Sequence, residues 1–398
     1  MLSDAQGLSV TTDAPAALEA VNQFAEQVLG HGNQAEVILQ GLAADPTAVL
    51  VNAHGAVLHL WAEAPDSVAR ARPYLQTALA GLATATARER WYVRAIAAWT
   101  EGDFALALRY HNALAEWYPR DLIAASIGQY HYLFNQPSSA GMLRLVETIF
   151  PANRDNHYVH GMLAFALEQN GCLEEAEAVG RQAVAMNRHD PWAHHAVAHV
   201  FETQGRDGEG IAWMESVSDT WEQCGSFYCH NWWHLALYYL RQGDVAHVLD
   251  LYDQKIWGRA VKAYPHCHIN AISLLIDLEL AGVAVGDRWH QLEPYLFPGS
   301  DHPVHPLVEL HQVYALTRAG HIDWVEAKLQ SIGRHAASHP HQSVWERVVV
   351  PMTKGLVAFA KGDRKTAAVW LEPVLPRLYQ VGGSHAQRAI FQRIYQAA

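Results

Sequence analysis

The chain has 398 residues, half of them apolar and 17% charged, enough for a sizeable core and too apolar for disorder. Its net charge of −12, from 28 basic and 40 acidic residues with no basic patch, argues against nucleic acid as a partner. No apolar run approaches the roughly 18 residues of a membrane span, and the opening MLSDAQGLSVTTDAPAAL lacks a leader pattern, so no membrane contact and a cytoplasmic location are expected.

Four cysteines (Cys172, Cys224, Cys229, Cys267) are too few and too irregular for a disulfide framework. The compositional oddity is 25 histidines beside 14 tryptophans. Histidine is the usual metal ligand and the acid–base group of neutral pH.

Period-two alternation is nearly absent, whereas Ala, Leu, Glu, Gln and Arg dominate at helical spacing, which predicts an all-α chain. In order, residues 14–82 read as two loose helix pairs, and 88–121 as a cleaner pair around Gly102, followed by an interrupted pair to about 153. Residues 155–259 hold three well-formed pairs, turning at Gly171, Gly205 and Gly243. Residues 266–296 form a pair with a longer inner turn, and FPGSDHPVHP is a loop whose prolines forbid a continuous helix. Two more pairs span 306–378, turning at Gly320 and Gly362, and GGSHAQRAIFQRIYQAA reads as one helix capping the array over Val357 and Val369. No linker interrupts the pattern. One domain over 1–398 is expected, with divergent repeats at 14–153, the best-matched ones at 155–259, and C-terminal repeats plus cap at 266–398.

A glycine that ends the first helix of each pair gives a register. With that glycine at position 15, large residues fall at position 4 (Trp91, Trp232), small ones at 8 (Ala95, Ala164, Ala198, Ala236) and aromatic ones at 11 (Phe201, Tyr239). Ala107, Ala176 and Gly210 fall at position 20, Ala183 at 27 and Pro119 at 32. This resembles the tetratricopeptide repeat, two antiparallel helices whose small residues allow close approach. The expected fold is a right-handed α-solenoid of about ten such pairs.

Longer strings resemble one group of these proteins, the tetratricopeptide repeat protein 38 family: HHAVAHVFETQGRDGEGIAWM, CHNWWHLALYYLRQGD, INAISLLIDLELAGVAVGDRW and the terminal GGSHAQR. Ala389, after GGSHAQR, departs from the acidic residue expected there. The resemblance spans essentially the whole chain and implies the solenoid fold without implying a reaction.

The candidate site lies in 191–243. His195 and His199, and then His230 and His234, are each four apart and so share a helical face, with Glu202 on the first stripe. In a tetratricopeptide register, positions 2, 5, 6, 9 and 12 face the concave groove. His195, His199 and Glu202 take 5, 9 and 12, His230 and His234 take 2 and 6, and Trp233 takes 5 as a wall. Three roles stay open for this cluster: a transition-metal site such as zinc, acid–base chemistry on a small molecule, and structural histidines bonded to one another and to backbone. Trp192, Trp213, Trp221 and Trp232 read as packing between repeats, and His160, at position 4, as core. Cys229 and Cys267 each precede a histidine, but sequence neighbours on a helix point apart, which disfavours a Cys–His nucleophile. His302 and His305 either close over the groove or start the next helix, and His385, Gln387 and Arg388 either cap or reach back toward an anion.

No Walker loop, no G-x-G-x-x-G after a strand and no G-x-S-x-G elbow is present, so no nucleotide cofactor is expected. The leading expectation is a repeat protein binding a small polar ligand or peptide in a His/Trp-lined groove. The alternative is an enzyme using the same His/Glu cluster.

Overall fold

The computed structural model describes residues 1–296, 303–338 and 344–398. Among these are 21 α-helices and one antiparallel pair of two-residue strands, β1 (Leu2–Ser3) and β2 (Ser9–Val10). The all-α expectation holds apart from this small ribbon. The ribbon fixes the position of Asp4, whose carboxylate lies 3.6 Å from the Arg88 guanidinium.

The helices form two compact units: Met1–Ala62 with Asp66–Tyr228, and Glu63–Pro65 with Cys229–Ala398. The division at 228/229 falls inside the block read as the best-matched repeats, where composition gives no signal. No helix among the described residues is long and apolar enough to cross a membrane.

The first unit stacks six helix pairs: α1 (Pro15–Leu29) with α2 (Ile38–Ala44), α3 (Val49–Leu60) with α4 (Ser67–Ala80), α5 (Ala87–Thr100) with α6 (Phe104–Trp117), α7 (Leu122–Tyr130) with α8 (Ser139–Ile149), α9 (His157–Glu168) with α10 (Leu173–Met186), and α11 (Pro191–Gln204) with α12 (Asp207–Val217). Their starts are set by side chains that satisfy the first free backbone N–H groups. Thr86 and Glu89 form a reciprocal capping box on α5, and Asp103, Asp121, Ser138, Asn156 and Asp190 cap later helices.

Their ends are set by the predicted glycines. Gly102, Gly171, Gly205, Gly243, Gly320 and Gly362 all have left-handed φ, from 68° to 85°, and Gly282 (79°) adds the turn of the irregular pair. The small positions do what the register requires: a Cβ on Gly180 of α10 would lie 2.5 Å from Val197 Cγ2 on α11. That approach lets Ala164, Ala176, Ala183, Ala198 and Phe201 be fully buried between neighbouring helices.

The second unit contains α13 (Phe227–Arg241) with α14 (Val245–Leu251), α15 (Pro265–Leu280) with α16 (Arg288–Leu292), α17 (Pro306–Arg318) with α18 (Ile322–Ser338), and α19 (Val350–Ala360) with α20 (Arg364–Leu371), followed by α21 (His385–Ala397). Together these are the tetratricopeptide-like pairs of an α-solenoid.

The terminal helix is placed differently from expectation. It does not cover Val369, which stays 65% exposed. It packs beside α20 of the last pair and also turns back onto earlier first helices: Phe391 meets the His311 ring of α17 at 5.2 Å, and Arg393 grips Asp277 of α15 at 2.8 and 2.9 Å. The GGSHAQR string makes this turn. Gly382 and Gly383 take φ of 78° and 81°, and Ser384 with Gln387 forms a capping box. Arg388 donates to the Gly383 carbonyl, and His385 is exposed, so these residues serve the cap.

Phe391→Ala is therefore expected to cost about 3–5 kcal/mol, because the side chain is fully buried. Val369→Ser should change stability by less than about 0.5 kcal/mol. Urea unfolding of both variants checks this, and equal midpoints would place the helix elsewhere.

Candidate functional site

In the first unit, Asp190 caps α11 by accepting from the Ala193 N–H at 3.0 Å, with Pro191 opening the helix. The four-residue spacing then brings His195 and His199 together, with their Nε2 atoms 2.9 Å apart. Both imidazoles are buried, 2% and 1% exposed. His199 Nδ1 lies 3.6 Å from a carboxylate oxygen of Glu168, the last residue of α9 and itself 1% exposed. That distance is too long for a direct hydrogen bond, so the carboxylate orients the ring electrostatically. Glu168 is held in turn by the Thr203 hydroxyl at 3.1 Å and the Gln169 amide at 2.5 Å.

The electrostatics favour one tautomer. A proton on His199 Nδ1 faces Glu168, which leaves His199 Nε2 to accept from His195 Nε2–H. The result is a buried carboxylate–imidazole–imidazole line ending on His195.

Aromatic rings wall this line. Phe165 stacks on His195 at 5.3 Å, and Trp192 and Phe227 each lie 5.1 Å from it. His31 stacks on Trp192 at 5.1 Å and on Phe227 at 4.4 Å. It does so from a left-handed backbone (φ 51°), a strained conformation for a residue other than glycine. Burial pushes its imidazole down to about 4.

In the second unit, His230 Nδ1 lies 2.9 Å from Asn270 Oδ1 of α15. Trp233 stacks on His230 at 5.3 Å and meets His234 edge-on at 4.6 Å. Trp233 was expected to wall an open groove; it is 1% exposed and packed between the two imidazoles. Burial, with some help from the Arg241 charge, pushes His234 down to about 3.

Other histidines are structural, in a way the sequence reading did not foresee. His160, His194 and His268 are each the fourth residue of their helix. Each puts Nε2 on the carbonyl six residues earlier, Arg154, Arg188 and Lys262, at 2.9, 2.9 and 2.8 Å. The ring ties the incoming loop to the first helix of its repeat. Trp213 and Trp221 pack onto His194, one indole N–H on its carbonyl and the other on its Nδ1. His305 caps α17 by accepting from the Leu307 N–H, so it starts that helix. His302 lies outside the described residues.

Glu168 was missed; the sequence pointed to Glu202. Both sit at position 12 of their repeats. Stacking offsets successive first helices, so position 12 of one repeat lies beside position 9 of the next; Glu202 is half-buried on its own helix. Cys229 and Cys267 turn toward each other, with sulfurs 3.1 Å apart. A cavity of about 170 Å³ in the first unit, with apolar walls such as Leu29, Leu50 and Ile123 and the polar groups Asp4, Arg88 and Asp121, also went unforeseen. Its residues come from distant elements, and its volume falls short of the roughly 300 Å³ of typical ligand sites.

No family model matches the chain. Solved structures that align with it include the human IFIT1 dimer with PPP-AAAA (12% identity, 94% of this chain, 92% of that one, TM-score 0.42). The IFIT1 dimer with m7Gppp-AAAA (12%, 93% and 91%, 0.44) and the APC/C hetero-tetramer Cut9–Hcn1 (11%, 93% and 69%, 0.44) align as well. Likeness at this level is confined to fold. One expectation is corrected: the charge-based exclusion of nucleic-acid partners is withdrawn, and the aligned IFIT1 structures are themselves ones that hold PPP-AAAA and m7Gppp-AAAA. Net charge sums a whole surface and does not describe one binding face.

The buried histidines make a pH prediction. Burial holds His111, His194, His268 and His311 down at about 4, and His54 and His234 at about 3, each from 6.5. Below 6.5 the unfolded chain takes up protons that the folded chain refuses. Stability is therefore complete above that pH and is lost as pH falls toward 4. Each such histidine removes up to about 1.4 kcal/mol per pH unit across this window. Melting temperature should drop steeply between pH 6.5 and 5; a flat profile would contradict the neutral buried state.

Proposed function

We propose that this chain is a tetratricopeptide-like repeat protein of the tetratricopeptide repeat protein 38-like group, and that it binds a small polar ligand against histidines and aromatic rings on its inner helix faces. The observation that carries this reading is the Glu168–His199–His195 line, with Glu168 and His199 3.6 Å apart and the two imidazoles 2.9 Å apart. Three ionisable groups in a row are a poor way to fill a core. Apolar side chains of similar volume in place of a buried charged cluster are often neutral or stabilising by about 1–4 kcal/mol. Their retention beside His31, Trp192 and Phe227 fits a site that receives a ligand. The strained backbone of His31 supports the same reading. The burial of His195 and His199 favours a small molecule over an extended peptide.

A second reading rests on the same line. A carboxylate that orients one imidazole, which then accepts from the next, is an arrangement suited to general acid–base chemistry. In that case His195 is the group that exchanges a proton with substrate, His199 relays, and Glu168 fixes the tautomer.

The test is a thermal-shift screen of the wild type against small polar acids, amines and sugars, repeated with His195→Phe and His199→Phe. Wild type should be stabilised by at least one class. His195→Phe should melt close to wild type and His199→Phe lower, because it leaves the buried Glu168 carboxylate without its imidazole; both should bind that class at least tenfold more weakly, a difference of about 1.4 kcal/mol. Turnover of the bound compound by wild type, lost in Glu168→Gln, would select the enzymatic reading. A large fall in melting temperature in both histidine variants, with no compound stabilising wild type, would return the line to a structural role.

A further inference from the structure

The second unit holds a chemical group that the ligand reading does not use. Cys229, in the first turn of α13, and Cys267, in the first turn of α15, place their sulfurs 3.1 Å apart. Both are buried, at 1% and 0% exposure, and neither is in a disulfide. A disulfide bond is about 2.05 Å long, so closing the gap needs a sulfur movement of about 1 Å, within the reach of side-chain rotation.

The two thiols are not equivalent. The Cys229 S–H donates to the Cys267 sulfur. Cys267 sits at the third position of a 16-residue helix, where the backbone dipole favours an anion. Its sequence neighbour His266 is ion-paired to Glu63 at 2.7 Å, and Glu63 reaches it from a left-handed backbone of φ 47°. The Cys229 thiol, then the Val261 N–H and the charges of His266 and Lys262, hold the Cys267 thiol below its ordinary value against the opposing effect of burial. Cys229 is pushed the other way, by its bond to Cys267 and by burial. Of the two, Cys267 is the thiol that gives up its proton more readily, and Cys229 is the one that keeps it.

We propose that Cys229 and Cys267 form a hydroperoxide-reactive dithiol, which closes to a disulfide joining α13 to α15. The Cys267 thiolate attacks one peroxide oxygen; the S–O bond forms as the O–O bond breaks, and the departing oxygen leaves as water (an alcohol, from an organic hydroperoxide) with the proton from Cys229. The Cys229 thiolate left by that proton transfer then attacks the Cys267 sulfenic sulfur; the S–S bond forms, the S–O bond breaks, and hydroxide leaves, becoming water with a proton from solvent, which had received the one Cys267 gave up on ionising. Two thiols are oxidised and one peroxide is reduced. Burial of both sulfurs selects a small oxidant over a bulky disulfide.

Closure also bears on His230. Asn270, whose side-chain oxygen meets His230, points its amide nitrogen at the Cys229 sulfur at 3.5 Å. Changing that sulfur changes the acceptor on the other end of the same amide.

The full chain is treated with hydrogen peroxide, quenched, denatured with a thiol-blocking reagent and mapped by peptide mass spectrometry. The expected result is loss of two of the four thiols, a single Cys229–Cys267 linked peptide, and full reversal by dithiothreitol. Cys229→Ser should stop at a Cys267 sulfenic acid trapped by dimedone. Cys267→Ser should slow thiol loss at least tenfold, and Cys172→Ser and Cys224→Ser should behave as wild type. Four intact thiols under peroxide that fully oxidises free cysteine, or a link through Cys172 or Cys224, would overturn the proposal. Because the wild-type map decides the point alone, a variant that fails to fold does not rescue it. The outcome is independent of any ligand screen.

Discussion

The phase of the first helices governs everything else in this chain. Seven of them, all but α1, α3 and α7, turn on a glycine held in the left-handed region, at φ from 68° to 85° for the turns from Gly102 to Gly362, so those repeats restart at a similar angle to the last. Small residues then set how near successive helices come, as at Gly180 against Val197. Once angle and spacing are fixed, a given position always meets the same positions of its neighbours. Chemistry can therefore be written into such a scaffold by position number.

Much of this was legible in the sequence. Six of the glycines that take left-handed φ were identified from spacing alone, because no other residue ends a helix that way at so little strain. The two histidine pairs were legible for a similar reason: a spacing of four on a helix fixes a shared face, and His195 with His199 and His230 with His234 do lie ring to ring, at 4.4 and 4.8 Å. Local geometry needs no knowledge of the rest of the fold.

What lay across helices was not legible. Glu168 is distant in sequence from His199, and nothing in its own surroundings marks it out; only the offset between stacked helices puts it there rather than Glu202. The terminal helix misled for the opposite reason. A last amphipathic helix in a repeat array is ordinarily read as a cover for the exposed end. Here the double glycine and the Ser384–Gln387 box redirect it, and Arg393 finds Asp277 across 116 residues.

The histidines themselves separate into two kinds once their partners are known. His160, His194 and His268 give Nε2–H to a backbone carbonyl, an acceptor that cannot titrate and does not move, so these rings are fastenings. His199 is bounded by another imidazole and by a carboxylate, partners that can each change their proton count. A fastening built that way would weaken whenever one partner changed state, whereas a backbone carbonyl does the same work for His194 on the same helix and for His160 and His268 in two other repeats. The chain uses the stable arrangement where it needs a tie. On the function proposed above, the labile arrangement at His195 and His199 is there for what it can do: move a proton, or present a nitrogen of defined tautomer to something that comes and goes.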